Sequence, residues 1–166
     1  MLAITSRHML IMQVIGTGGS KSVLFMLPAF CSPDGVTVVV MLLVALQTDL
    51  YRRYVKAGIT SHVWQSRKNN QAASIIFVTP KSAVTKGFRD FIAQLEGRQA
   101  LDCVVMDECH VMLKGSQSFQ PQLRELREAI RKFGVQTICL TATLALTDKA
   151  AFFYAIQLEA SWVRMF

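Results

Sequence analysis

The chain has 166 residues, room for one ordinary globular domain, and its length argues against two. Hydrophobic residues make up 52% and charged residues 17%, which excludes a disordered chain. The longest apolar run, residues 36–46, falls well short of the ~20 residues a membrane-spanning helix needs, so no membrane partner is expected.

The net charge of +7 suits a polyanionic partner such as nucleic acid, although a basic surface that only solvates its faces accounts for it equally well. Cys31, Cys103, Cys109 and Cys139 form no CxxC pair, and three of them sit in apolar runs. Reduced, buried thiols in an intracellular protein are the expectation. Cys109 beside His110 lacks a second pair at ligand spacing, so a zinc site is not indicated. The apolar stretch 9–15 runs into glycines and not into a small-residue cleavage site, which speaks against a signal peptide.

In chain order, residues 9–15 (MLIMQVI) form a continuous apolar run that ends at glycines, the pattern of a strand buried on both faces. A short helix is expected from about Lys21, closing before Pro28. Residues 36–41 (VTVVVM) read as a second buried strand. A helix over 44–57 places Leu46, Leu50, Tyr54 and Ala57 on one face, with Gly58 at its C-terminal cap. His62 and Trp64 after that turn are assigned to packing.

Residues 74–79 (SIIFVT) read as a strand halted by Pro80, followed by helical spacing at Val84, Phe88, Phe91, Ile92 and Leu95. A strand over 101–107 ends on acidic residues. Pro121 opens a helix with Leu123, Leu126, Ile130 and Phe133 as its stripe. A last strand, 136–140, and a last helix, 147–157, complete the pattern. Strands alternating with helices imply an α/β fold, a parallel sheet covered by helices on both faces.

Two segments carry chemistry. The first is Ile15-Gly16-Thr17-Gly18-Gly19-Ser20-Lys21-Ser22, a glycine cluster between a buried strand and a helix start. Backbone amides in such a loop point at an anion, and the helix dipole adds to them. Lys21 would reach the β- and γ-phosphates, and the Ser22 hydroxyl would ligate Mg²⁺. A glycine-rich turn with no ligand is the structural alternative. Ser20 stands where the pattern has glycine, and a Cβ there costs roughly 1–2 kcal/mol if the backbone must be left-handed.

The second segment is Asp107-Glu108-Cys109-His110, where a strand leaves the sheet at the edge at which open α/β folds bind ligands. Asp107 can hold Mg²⁺, and Glu108 can act as general base toward water. Two carboxylates on a solvated strand end are the structural alternative. An unrelated P-loop kinase or GTPase fails to explain DECH together with the Leu140–Thr143 segment LTAT.

DECH and LTAT resemble the DExH box and motif III of superfamily 2 helicases. GTGGSKS followed by VLFMLPA resembles the phosphate loop of the RecQ family and the segment after it. Residues 38–50 (VVVMLLVALQTDL) resemble the next motif, with Leu42 in place of a usual Pro. Val78-Thr79-Pro80-Lys81 and Phe119-Gln120-Pro121 resemble two further family segments. The chain thus resembles the first, ATP-binding lobe of RecQ-like DNA helicases, with particular likeness to the fungal ones found near telomeres.

The resemblance implies a RecA-like P-loop NTPase domain across residues 1–166, truncated at both ends and without its second lobe, from an ATP-dependent 3′–5′ DNA helicase of the nucleus. ATP and Mg²⁺ are the implied cofactors. ATP contacts fall to Gly16, Thr17, Gly18, Gly19, Ser20, Lys21 and Ser22, and metal contacts to Ser22 and Asp107. Catalysis falls to Glu108, Lys21 and His110, and coupling to DNA to His110, Thr141 and Thr143.

Phe119, Thr79 and Lys81 are candidate DNA contacts, with Phe119 as a core anchor the alternative. The basic sets Arg52-Arg53-Lys56 and Arg67-Lys68 can track phosphates, whereas Arg124, Arg127, Arg131 and Lys132 interleave with Glu125 and Glu128 as a self-paired face. A Gln-centred adenine-reading segment and a second lobe with its arginine finger are implied but not held by these residues. A degenerate, non-hydrolysing remnant that serves as a passive nucleic-acid-binding or interaction module is the other reading.

Overall fold

Apolar runs bounded by glycine, proline and acidic residues become strands because only a two-sided burial accommodates side chains that are apolar on both faces. The computed structural model describes residues 10–16, 21–32, 34–41, 47–65, 73–110, 125–126, 128, 134–143, 150 and 163–165, with backbone alone at 47–49 and 163–165. Its strands are β1 (Leu10–Val14), β2 (Val36–Met41), β3 (Ser61–Val63), β4 (Ile75–Val78), β5 (Leu101–Asp107), β6 (Gln136–Thr141) and β7 (Val163–Met165). They form one seven-stranded sheet in the order β3-β4-β2-β5-β6-β1-β7. Every neighbouring pair is parallel.

The five strands expected from the sequence are all present. β3 and β7, three residues each, are additional and sit at or near the edges of the sheet.

Four helices are described: α1 (Val23–Cys31), α2 (Gln47–Lys56), α3 (Pro80–Ala83) and α4 (Lys86–Gly97). Alternation along the strands divides the core into two layers. Val39, Met41, Ile75, Phe77, Val105, Ile138 and Leu140 pack with Phe25 and Ala29 of α1 and Tyr54 of α2. Val38, Val40, Ile76, Val78, Val104 and Met106 pack with Ala83 of α3 and Phe88, Ile92 and Leu95 of α4. Helices therefore cover both faces, as alternation predicts. Each fully buried side chain of this kind contributes about 1.5–3 kcal/mol.

Three expectations are corrected. α1 does not close before Pro28 but runs through it to Cys31. Burial of Phe25 and Ala29 on either side carries the helix past the missing N–H, and Ser32 N still bonds to the Pro28 carbonyl at 3.0 Å. Ala57 lies past the end of α2 and is exposed, so it does not extend the buried face led by Tyr54. Pro80 ends β4 as expected but also opens α3, with Thr79 as its N-cap.

Gly58 caps α2 as expected. It takes φ 74°, its N–H bonds to Val55 O at 3.1 Å, and Ile59 N–H bonds to Tyr54 O at 3.1 Å, which together make a Schellman ending. Trp64 is buried and packs against Phe88 and Phe91 with ring centroids 5.0 and 4.9 Å away, in agreement with its assignment to packing. Of the helix expected after Pro121, Glu125, Leu126 and Glu128 are helical and Leu126 is buried. Leu123, Ile130, Phe133, the clusters Arg67-Lys68 and Arg124-Arg127-Arg131-Lys132, and all but Ala150 of the helix at 147–157 lie outside the described residues.

Candidate functional site

Strand order builds the site. β5, β6 and β1 are consecutive neighbours in the sheet, so the segments that leave their carboxyl ends emerge side by side. Val14 pairs with Thr141, and Met106 with Cys139, which brings those ends level. Two backbone bonds tie the exits together: Ile15 N to Thr141 O and Cys109 N to Leu140 O, both 2.9 Å. This is the edge at which parallel α/β sheets bind ligands.

Lys21 and Ser22 stand at the start of α1, with Ser22 as its N-cap. The Lys21 ammonium donates to Glu108 Oε1 at 2.6 Å, and both side chains are 16% exposed. Two residues 87 positions apart are thus joined by one short charge-assisted bond. Glu108 itself adopts φ 52°, a left-handed backbone that costs an L-residue about 1–2 kcal/mol. Three contacts hold it there: the Lys21 pair, the bond from its own N–H to Asp107 Oδ1 at 3.0 Å, and the Cys109 tie to β6. Backbone strain held by its surroundings in this way clusters at working sites.

His110 Nδ1 lies 3.2 Å from Glu108 Oε2, within ion-pair distance but outside hydrogen-bond geometry. Oε2 is therefore buried without a hydrogen-bond donor among the described residues. The same Nδ1 stands 3.1 Å from Thr141 Oγ1. Thr141 donates its hydroxyl proton to Thr143 O at 3.1 Å and accepts from Thr143 N at 3.3 Å. With that proton committed, His110 Nδ1 must be the donor in the His110–Thr141 bond. Glu108, His110, Thr141 and Thr143 thus form one chain of contacts between the ends of β5 and β6.

Asp107 is buried at the end of β5. Burial, and then the charge of Glu108, raise its pKa above the usual carboxylate value, against the pull of the Glu108 amide, Lys21 and His110. A desolvated carboxylate with no cation bonded to it among the described residues is a fitting ligand for a hard cation. No cluster of three His, Cys, Asp or Glu side chains able to hold a metal occurs among the described residues. The donor set here is one hydroxyl and one carboxylate, which suits Mg²⁺, an ion that completes its shell with phosphate oxygens and water.

The remaining candidates are placed as follows. Gly16 is described at the end of β1, with open space around it. Thr17, Gly18, Gly19 and Ser20 lie outside the described residues, as does Phe119. Thr79 caps α3, its hydroxyl accepting Ser82 N at 3.2 Å, and Lys81 is exposed beside it. Both leave the sheet from β4, beyond β2, and do not meet Lys21 or Glu108. Arg52, Arg53 and Lys56 are exposed on α2.

Cys103, Cys109 and Cys139 are free and buried, as expected, whereas Cys31 is exposed. Cys109 has its thiol pKa raised by a hydrogen bond with Cys139 and by burial, the opposite of a metal-ligating thiolate. Sequence reasoning placed Tyr54 only on the apolar face of a helix. Its ring is buried against Phe25 and Phe77, and its hydroxyl has no hydrogen-bond partner among the described residues. A lone tyrosine in an aliphatic helix stripe was the available signal.

Residues 1–151 match the DEAD/DEAH box helicase family. ATP-dependent DNA helicase Q1 of Rattus norvegicus is 31% identical over 149 residues, covering 80% of this chain and 24% of that protein. ATP-dependent DNA helicase RecQ of Bacillus subtilis is 25% identical over 148 residues, covering 82% of this chain and 24% of that protein. The chain therefore spans about a quarter of the length of these relatives.

In fold it is similar to the DUF1998 helicase MrfA bound to DNA, with TM-score 0.70 at 17% identity, covering 98% of this chain and 24% of that one. The Hef helicase domain of Pyrococcus furiosus gives TM-score 0.59 at 14% identity, covering 99% of this chain and 37% of that one. The parallel sheet with its two helical layers is the RecA-like helicase domain fold. With curated relatives among the RecQ-type helicases and 151 matched residues, the chain belongs to the DEAD/DEAH box helicase family.

Proposed function

We propose that the chain is the ATP-binding first lobe of a RecQ-type 3′–5′ DNA helicase, acting with a second RecA-like lobe to couple ATP hydrolysis to DNA unwinding. One observation carries this reading. Lys21, Asp107, Glu108, His110 and Thr141 converge on the carboxyl ends of three adjacent parallel strands, in the order the helicase motifs require. The eroded-remnant alternative gains nothing from the geometry, because the lysine and carboxylate that do the chemistry still meet at 2.6 Å.

Lys21 exchanges Glu108 for the β- and γ-phosphates of ATP. Glu108, released, takes a proton from the attacking water through the carboxylate whose second oxygen has no hydrogen-bond donor. Ser22 and Asp107 would hold Mg²⁺, which neutralises charge between the β- and γ-phosphates when bound. His110 senses the change at Glu108 and passes it to Thr141 and Thr143. Thr79 and Lys81, with Phe119, are assigned to DNA.

The motif sequences align the chain with fungal, telomere-linked RecQ-like helicases, and a nuclear setting goes with that kinship. The second lobe would add an arginine finger, worth about 10³–10⁵ in rate in related phosphoryl transfer.

Titration of a fluorescent ATP analogue into the chain with Mg²⁺ tests the reading. Weak but saturable binding is expected, competed by unlabelled ATP and abolished in Lys21→Ala. No saturable binding by the wild-type chain at millimolar nucleotide would sink the proposal. Ser20→Gly is expected to tighten binding about tenfold, the equivalent of roughly 1.4 kcal/mol of relieved strain. Equal affinities would clear Ser20 of any role in weakening the loop.

A further inference from the structure

A helix that covers a sheet normally turns a polar crest to water. α4 does so, exposing Lys86, Arg89, Asp90 and Gln94. α1 does not: its nine residues, VLFMLPAFC, include no charged side chain. Phe25 and Ala29 face the sheet, while Val23, Leu27 and Phe30 recur at helical spacing on the opposite side, with Phe30 65% exposed. Among the described residues, the only other large apolar side chains that stand exposed are Tyr51 and Val55 of α2. Single exposed apolar residues are ordinary, but a stripe of them confined to one layer marks an interaction surface.

α2 lies beside α1, with the Phe25 and Tyr54 ring centroids 6.0 Å apart. With Tyr54 turned inward and about 100° between successive residues, Arg52 and Lys56 fall on the crest of α2. Both are exposed, and neither joins an ion pair among the described residues. An apolar crest thus runs alongside a basic one.

Charge selects what fits there. A matching occupant presents an apolar stripe with a row of carboxylates beside it, as an amphipathic helix can. A second copy of this chain would set its own Arg52 and Lys56 against the same residues, with a net charge of +7 on each side. Nucleic acid would satisfy the basic crest, but Val23 and Leu27 have no ring on which a base could stack.

We propose that the α1–α2 face docks an acidic amphipathic helix of a partner protein. The partner's apolar stripe covers Val23, Leu27 and Phe30, and its carboxylates meet Arg52 and Lys56. This contact requires no nucleotide, so it stands independently of the ATP-binding reading.

The probe is a fluorescein-labelled peptide of about 18 residues, roughly five helical turns, with leucine along one stripe and glutamate elsewhere. A second peptide carries lysine at every glutamate. Fluorescence anisotropy with the whole chain should show saturable binding of the Leu/Glu peptide, about tenfold tighter than the Leu/Lys peptide. Phe30→Ser should weaken the Leu/Glu peptide about tenfold without lowering the unfolding midpoint, because the side chain it removes is exposed. Arg52→Glu combined with Lys56→Glu should reverse the preference between the peptides. Arg89→Glu combined with Arg98→Glu makes the same charge change elsewhere on the surface and should preserve the preference.

Equal effects of the two double variants overturn the proposal, since they mark attraction to net charge alone. Wild-type affinity for the Leu/Glu peptide in Phe30→Ser overturns it too. So does a single-stranded oligonucleotide, or a phosphatidylserine vesicle, that binds wild type and not Phe30→Ser. A wild-type dimer that Phe30→Ser converts to monomer in sedimentation velocity assigns the face to a second copy and overturns it as well.

Discussion

Lys21 and Glu108 hold each other in a part-buried pair that ATP, on the proposed reading, would have to open. Removing the glutamate's charge therefore separates two roles that lie in one residue. Glu108→Gln should bind ATP somewhat more tightly, by about 1 kcal/mol or roughly fivefold, because Lys21 no longer has an anionic competitor. In the two-lobed enzyme proposed above, with Glu108 as its general base, the same change should lower kcat about 10²–10⁴-fold. Equilibrium titration and steady-state hydrolysis read the two effects separately, and weaker binding in the variant would refute the competition.

Asp107 makes the reverse case, a group whose ionised form destabilises the fold. Its pKa is raised by burial and by Glu108, so folding holds its proton more tightly than the unfolded chain does. The cost is fully present above the raised value and disappears as pH falls through it toward the unfolded value. Asp107→Asn is expected to unfold at an equal or higher temperature than wild type at pH 7, with the difference shrinking at lower pH. Mg²⁺ should no longer tighten nucleotide binding in this variant. A lower midpoint at pH 7 together with intact Mg²⁺ dependence would show that Asp107 is structural.

At the scale of elements, legibility followed burial. β2 and β5 were readable to the residue because central parallel strands are apolar on both faces, and only such strands produce runs like VTVVVM. β3 carries no such run, since Ser61, His62 and Val63 are only half-buried at a sheet edge and three residues are too few for a period to show. Pro28 is a local signal for the end of a helix, whereas the packing of Phe25 and Ala29 that carries α1 past it is tertiary. The end of α2 was readable because Gly58 meets a backbone need that neighbours in sequence define. Gly58→Ala should destabilise the chain by about 1 kcal/mol through its φ of 74°, with open space around the new methyl. Chemical denaturation checks this, and a loss well beyond that size would mean the turn does more than cap.

The same limit separates motif from site. DECH and LTAT were legible as chemistry, but the left-handed backbone at Glu108 and the proton direction between His110 and Thr141 arise only when β5 and β6 lie side by side. Tyr54 was legible only as an apolar position, because the rings that enclose it, Phe25 and Phe77, come from other elements.

Across the whole molecule, the order β5-β6-β1 gathers Lys21 and Ser22, the Asp107–His110 segment and Thr141–Thr143 at one sheet edge, and this placement is a property of the topology more than of any contact. A site built on one edge of one sheet has donors on one side. On the proposed reading Lys21 would reach phosphate oxygens from this edge, and a partner for charge on the far side of the transferred group would come from a second lobe. Relatives about four times as long have the residues to supply one. The 166 residues by themselves should therefore bind Mg²⁺-ATP and turn it over about 10³–10⁵-fold more slowly than a two-lobed RecQ-type enzyme, the factor an arginine finger contributes. Single-stranded DNA should not stimulate that residual rate, because His110, Thr141 and Thr143 would have no second lobe to move. Steady-state phosphate release with and without DNA measures both quantities, and DNA-stimulated turnover at ordinary helicase rates would show that this edge of the sheet is sufficient alone.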